Sequence, residues 1–306
     1  GLSHLRSPLI LTKPIWAVHQ KIKNSKKEAA AVKAIKEKPL GRLTLTALRY
    51  ALIALVWIGI WLLLAFLAKR DGNELIFPSP VDVLGRFFEL CGTAEFYKTV
   101  FYSLLRVLIG NNAAILLGVI LAILTSRFGF FGDFIRPMMT VIKSTPVASF
   151  IILALVLMSR SLLPVFIVFL IVLPVVWANV HEGITSTDKK LKEVATVFGI
   201  SFGKCLSSLY IPTVAPYFRS ALLSSVGLAW KAGIAAEVLA TPSVSIGKKL
   251  FESKQYLETV DLFAWTLAVI IMSLLVESAA LAISGLFTKG KRTPQKDSKA
   301  RRSRNA

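Results

Sequence analysis

Residues 47–68 read ALRYALIALVWIGIWLLLAFLA, with no charge after Arg49. A helix needs about 20 such residues to cross the hydrocarbon core of a bilayer, so this run alone decides the class of fold. Five more runs of the same character follow, and spans are predicted at about 47–68, 99–125, 134–158, 161–180, 213–239 and 262–286. The chain therefore reads as an all-α polytopic membrane protein with six transmembrane helices. Trp57 and Trp61 fall in mid-span, where they are expected to pack on helices or lipid rather than mark the interface. On this division 1–46 is a basic N-terminal arm, 47–286 the transmembrane domain with a polar loop at 181–212, and 287–306 a basic tail of disordered composition. Two further connectors carry helix-breaking residues: 69–98, which holds Phe-Pro-Ser-Pro at 77–80, and 240–261.

Charge orients the spans. The net charge of +20 comes from 37 Lys and Arg against 17 Asp and Glu. An even number of spans leaves both termini on one side, and basic flanks mark that side as the cytoplasm. The segments then assigned to the inside (1–49, 126–136, 181–212, 287–306) hold 25 of the 37, and the outside segments (69–98, 159–163, 241–260) hold 8. The remaining four, Arg106, Lys143, Arg219 and Lys231, lie within spans. Basic ends of this kind suit anionic lipid; no aromatic residues interleave with them, so no nucleic-acid partner is expected. Residues 1–40 are charged and have no apolar core of a secretory leader. Two cysteines (Cys91, Cys205) and three histidines (His4, His19, His181) show no disulfide or metal-ligand spacing, and no metal site is predicted.

The loop stretch 193–212, EVATVFGISFGKCLSSLYIP, invites two enzymatic readings. Gly199-x-Ser201-x-Gly203 has the form of a nucleophile elbow, but helical periodicity precedes Ser201 and no histidine follows it. The Gly203-Lys204 pair fails as a phosphate-binding loop because Phe198 and Cys205 stand where Gly and Ser or Thr are required. Periodicity is what remains. Leu191, Val194, Ala195 and Phe198 form an i, i+3, i+4, i+7 stripe, with Asp188 as N-cap and Gly199 as the C-terminal glycine. Ser201 can cap a second stripe of Phe202, Cys205, Leu206 and Leu209, and Pro212 then favours a fresh helix start. Two short helices joined at Gly199 make a knob suited to docking against another protein.

The same string resembles the EAA signature of ATP-binding-cassette importer permeases: Glu-Ala-Ala, three residues, Gly, nine residues, Ile-x-Leu-Pro. Here stand Glu193-Val194-Ala195, then Gly199, then Leu209-Tyr210-Ile211-Pro212 at the same spacing. The likeness runs through about 95–286, where SLLRVLIGNNAAILLGVILAIL (103–124), PVASFIILALVLM (146–158), GLAWKAGIAAEVLA (227–240) and IGKKLFESKQYLETVDLFAW (246–265) look like the nitrate/sulfonate/taurine branch. That resemblance implies a transport subunit rather than an enzyme, in the bacterial cytoplasmic membrane. It implies a homodimeric translocation pathway, two cytoplasmic ATPase subunits that bind ATP with magnesium, and an extracytoplasmic substrate-binding protein. The chain itself is expected to bind no cofactor. Glu193, Ala195, Phe198, Gly199, Ile211 and Pro212 become the ATPase-coupling residues, and the substrate a small anion or sulfonate-like solute. The other class considered, an ion-gradient-driven secondary transporter, calls for inverted repeats and mid-span acids. No repeat is apparent, and Glu237 and Glu277 are the candidate acids. A membrane-embedded enzyme finds no converging His, Asp or Glu cluster.

Charge at mid-helix costs about 2.5–3.5 kcal/mol on insertion scales and so tends to mark function. The candidate pathway residues are Lys143, Thr145, Pro146, Trp230, Lys231 and Glu237. Lys231 and Glu237 are six residues apart, on different helix faces, and cannot form an i, i+4 bridge. Lys143 precedes Ser144-Thr145-Pro146, where a helix break can open backbone groups toward a cavity. Arg219, near a span end, is expected to snorkel. Gly227, Ala229, Gly233, Ala236 and Ala240 form a small-residue stripe, which can pack against its own bundle or form a dimer contact; the dimer and pathway face is the preferred reading.

Overall fold

The computed structural model describes residues 39–70 and 77–286, with side chains from residue 48 onward. The readings made for the N-terminal arm and the C-terminal tail lie outside the described residues. The chain divides into two units, 1–64 and 65–306. The first described helix, α1 (Pro39–Arg70), carries the opening apolar run and is apolar on all sides, as a lipid-embedded helix is. The second unit is helical throughout its described residues: α2 (Pro80–Cys91), α3 (Ala94–Arg127), α4 (Gly129–Ser144), α5 (Val147–Leu157), α6 (Leu163–Thr185), α7 (Lys189–Val197), α8 (Phe202–Ala240), α9 (Ile246–Gln255) and α10 (Thr259–Leu286).

Among the described residues five helices are long and apolar enough to cross a membrane, namely α1, α3, α6, α8 and α10. The third predicted span, 134–158, is not one helix: α4 and α5 meet at an angle of 102°. Pro146 causes the break, since it lacks an N–H and forces the residue before it into extended geometry; Thr145 sits at φ −81° and ψ 132°. Thr145 N–H donates to the Val141 carbonyl at 3.0 Å. Thr145 Oγ1 donates to the same carbonyl at 2.8 Å. The last turn of α4 thereby keeps its acceptor satisfied, as a membrane setting demands. Among the described residues the two connectors hold α2 and α9. Ser79 caps α2 through the Asp82 N–H, and Ser245 caps α9 through the Lys248 N–H at 3.0 Å, each a side-chain acceptor for a helix's free first-turn donor.

The core is a triplet of α3, α6 and α8. Its close approaches need glycine: a Cβ on Gly110 would stand 2.5 Å from the Val165 carbonyl oxygen, and one on Gly118 would stand 3.0 Å from Val176. Ala229, Gly233, Ala236 and Ala240 of α8 are buried in this same core, and a Cβ on Gly233 would lie 2.5 Å from Val107. The small-residue stripe assigned to a dimer face therefore packs inside its own bundle. Small residues let backbones approach where no hydrophobic effect drives association.

Trp230, predicted on the pathway, is 1% exposed and donates from Nε1 to the Val269 carbonyl at 3.1 Å. It anchors α10 to α8. Trp230→Phe is expected to keep the fold and lose about 1 kcal/mol, the net worth of one hydrogen bond, read as a small drop in melting temperature of the purified protein.

Candidate functional site

Between α6 and α8 the chain makes an exposed apolar projection that belongs to none of the long helices' packed faces. Asp188 accepts the Lys190 N–H at 2.9 Å and starts α7. The helix closes in a Schellman arrangement. Gly199 N–H donates to the Thr196 carbonyl at 3.1 Å, and Ile200 N–H to the Ala195 carbonyl at 2.9 Å. Gly199 takes a φ of +60°, a conformation glycine adopts without penalty. The predicted cap and turn are both present.

The continuation differs from prediction. An α-helix does begin at Ile211 with Pro212 in its first turn, as predicted, but it is not a separate one: residues 202–240 run on as a single helix through a π-turn at Leu206–Tyr210. The Ile211 N–H reaches back to the Leu206 carbonyl, one residue farther than an α-helix allows. That extra residue makes room for the pyrrolidine ring without ending the helix. Thr213 Oγ1 donates to the Leu209 carbonyl at 2.8 Å and satisfies an acceptor the distortion exposes. Ser201 has cap-like backbone angles but its side chain makes no capping bond.

None of the α7 side chains is buried. Val197 is 82% exposed, Phe198 77% and Phe202 77%, and Leu191, Val194 and Ile200 are exposed beside them. Glu193 is exposed and pairs with no cation among the described residues; Ala195 is half-buried, and Ile211 and Pro212 are exposed on the first turns of α8. Lys192 of α7 lies over the Tyr210 ring at 5.4 Å, a cation–π contact that ties the projection to α8. Its root is rigid: a Cβ on Gly183 would stand 3.0 Å from Tyr217 Cβ. Trp177 Nε1 donates to Thr125 Oγ1 at 3.1 Å, and His181 Nδ1 lies 3.1 and 3.0 Å from the Thr125 and Ser126 hydroxyls. The result is a fixed apolar knob on a braced helix pair. It has the chemistry of an interface and none of a reaction centre.

At the other end of α8, Glu237 is fully buried and pairs with Arg106 Nη1 of α3 at 2.9 Å. Its second oxygen accepts from Ser103 Oγ at 2.7 Å and from the Gly247 N–H at 3.3 Å. Ser103 Oγ in turn accepts the Ile246 N–H at 2.9 Å, and Arg106 Nη1 also donates to the Val244 carbonyl at 2.8 Å. Gly247 packs directly on the Glu237 backbone, with no room for a side chain. Glu237 is thus a clamp holding the α8–α9 turn against α3, away from any open route. Sequence reasoning placed Arg106 within a span and Glu237 among the pathway candidates but did not join them; their opposite charge was the available signal, while Ser103 and Gly247 carried none.

Of the remaining pathway candidates, Lys143, Pro146 and Lys231 are exposed and Thr145 is half-buried at the α4–α5 break. The structure does not bring Lys143 and Lys231 into contact. Arg219, read as snorkelling, is half-buried with Nε enclosed and lacking a hydrogen-bond partner. Beyond the clamp, a cavity of about 440 Å³ lies between α2, α9 and the starts of α3 and α10, over Phe96 and Trp265. Its walls are laced by Arg86 to Asp261 at 2.6 Å and Lys249 to Glu95 at 2.6 Å.

Comparison with known proteins accords with this arrangement. The family model described as "Binding-protein-dependent transport system inner membrane component" matches residues 114–293. The nitrate import permease protein NrtB of Synechocystis sp. is 28% identical over 203 residues, covering 63% of this chain and 70% of the relative. The putative aliphatic sulfonates transport permease protein SsuC of Bacillus subtilis is 25% identical over 248 residues, covering 80% and 88%. Among solved structures, an amino acid ABC transporter crystallised with histidines aligns at a TM-score of 0.50 and 12% identity over 67% of this chain and 96% of that one, a likeness of fold alone. The family model spans more than half of the chain, so this protein belongs to the inner-membrane components of binding-protein-dependent transport systems, as a multi-pass ABC permease of the bacterial cytoplasmic membrane and not an enzyme.

Proposed function

We propose that this chain forms the translocation pathway of an ATP-driven importer as a homodimer, and that residues 188–212 couple it to two cytoplasmic ATPase subunits. The observation that carries the reading is the knob: six exposed apolar side chains from Leu191 to Phe202, on a capped helix with a braced root. Apolar side chains clustered on a loop between spans have no reason to face water, and a partner that buries them supplies one. Glu193 offers a charge at the rim of that contact, and Ala195 and Gly199 let a partner approach closely. Both termini then lie in the cytoplasm with the knob, and the Glu237 clamp and the cavity above it face outward toward a substrate-binding protein.

ATP and magnesium belong to the ATPase partners; the knob transmits their closure to α8, which runs unbroken from Phe202 to Ala240. Beyond its π-turn at Leu206–Tyr210 the helix continues to the clamp, so a push at the knob is passed along it. The substrate in this reading is a small anion of the nitrate or sulfonate kind.

The test is co-expression with the cognate ATPase, affinity capture through this chain, and uptake of labelled nitrate and a short alkanesulfonate into proteoliposomes containing the binding protein. The ATPase is expected to co-purify, and uptake is expected only with ATP inside. Uptake by the chain without ATP or ATPase would place it among gradient-driven transporters and overturn the reading.

A further inference from the structure

Lys231 is the charge that this bundle leaves unexplained. It stands in the last third of α8, exposed, and no carboxylate among the described residues pairs with it. Ser220, Ser224, Leu228, Lys231, Ala235 and Leu239 share its exposed line, at the steps of three and four residues that make neighbours on a helix. The exposed faces of α3 and α10 are different: Leu108, Ile109 and Ile120 on one, Ile270, Leu274 and Leu281 on the other. Bulky aliphatic faces suit lipid, whereas a line in which two hydroxyls, an alanine and an ammonium interrupt Leu228 and Leu239 suits a surface that meets water.

A second charge lies near it. Glu277 of α10 is half-buried and pairs with no cation among the described residues; Ser273 Oγ approaches its Oε1 at 3.5 Å. That same oxygen sits 2.9 Å from where a Cβ on Gly227 would stand. Gly227 precedes Lys231 by one turn, and Cβ positions so related are about 5–6 Å apart. Helical side chains lean toward the N-terminus, so the Lys231 chain leans toward the turn that Gly227 and Glu277 share. A lysine side chain is long enough to carry the ammonium across that turn, and no ion pair joins Lys231 to Glu277 among the described residues.

We propose that Lys231 is a mid-membrane binding site for a small oxyanion, and that Glu277 is the internal counter-charge that takes the ammonium when the anion leaves. The ammonium has two alternative partners at one depth in the membrane. An anion holds it on the exposed line; Glu277 draws it across the open slot at Gly227. Competition from Glu277 keeps the anion from being held too tightly to depart, as a transport site requires. The proposal rests on the importer reading for the source of the anion, and its geometry is that of this chain alone.

A double-mutant cycle over Lys231→Met and Glu277→Gln tests it, read as melting temperatures of the assembled transporter in detergent. Potassium gluconate keeps the ionic strength constant while nitrate or methanesulfonate is added as probe. Without probe, the two single costs are expected to be non-additive, since either substitution alone removes the pair. With saturating nitrate or methanesulfonate the coupling should vanish, and the wild type should gain several degrees that Lys231→Met does not. Glu277→Gln removes the competitor and should bind the probe about tenfold tighter, the factor expected if the ammonium is free about a tenth of the time. Gly227→Ala displaces the Glu277 carboxylate without changing any charge and should reproduce that tightening, which keeps the test open if a charge variant fails to fold. Additive costs in both media, a coupling the probes leave unchanged, or equal stabilisation of Lys231→Met would each overturn the proposal. ATP-independent uptake would remove the importer reading and leave the cycle standing; an additive cycle beside ATP-driven uptake would remove only this site.

Discussion

Gly199→Val is expected to reach the membrane in normal amount and to lose ATP-driven uptake by an order of magnitude or more. The position has φ +60°, and nothing lies within 4 Å of a Cβ placed there. The cost is therefore one of backbone conformation, not of space. A β-branched residue at positive φ costs on the order of 1–3 kcal/mol, which the exposed turn relieves by shifting away from the Schellman geometry. That shift re-aims Phe198, Ile200 and Phe202 relative to α7, and the apolar surface of the knob is divided. The buried bundle is untouched, because no α7 side chain contributes to it. Gly199→Asn is the control: asparagine accepts the left-handed region and should retain most uptake and most ATPase capture. Normal uptake by Gly199→Val would show that the turn is not a coupling element. Loss in Asn and Val alike would point to the close approach of a partner rather than to backbone angle.

The second large effect belongs to the clamp. Arg106→Met leaves Glu237 fully enclosed with Ser103 and the Gly247 N–H but without its cation. Breaking one side of a buried pair typically costs about 3–5 kcal/mol, because the remaining charge stays desolvated. The expected result is a large drop in melting temperature in detergent, with the α8–α9 turn becoming accessible to protease. Replacing both charges, Arg106→Met with Glu237→Leu, should recover much of the loss, since a packed apolar pair needs no counter-charge. If the double variant melts below the Arg106→Met single, the clamp owes its stability to its wider hydrogen-bond net rather than to charge. Arg86 and Asp261 offer the contrast. Their bond joins α2 to α10 at 2.6 Å, but the Arg86 side chain is 40% exposed. An ion pair so open to solvent contributes little, and Arg86→Ala is expected to leave the melting temperature nearly unchanged.

The spans were legible because membrane helices announce themselves by length and absence of charge, which require no partner. The knob was legible for the same local reason: Asp188, the apolar stripe and Gly199 are caps and periodicity, complete within a dozen residues. Where prediction departed from structure, distant contacts decided. Pro146 broke a span that hydropathy alone read as continuous, whereas Pro212 failed to end a helix because a π-turn accommodated it. Both are prolines in apolar surroundings, and the difference lies in the carbonyls each leaves to be satisfied. Trp230 and the small residues of α8 looked like pathway or dimer surface because any helix face can be either. Only the packing of α3, α6 and α10 around that face assigned it to the core.

By itself the sequence determined the class of fold, the number of apolar runs, the capped helix of the 181–212 loop and the family likeness, all of which depend on neighbours along the chain. Tertiary structure decided which charges are partners. Arg106 and Glu237 are 131 residues apart and meet at 2.9 Å, while Lys231 and Glu277 each pair with no opposite charge among the described residues. A charge in a membrane must find a partner, water or a ligand, and which of the three it finds is a property of the folded bundle.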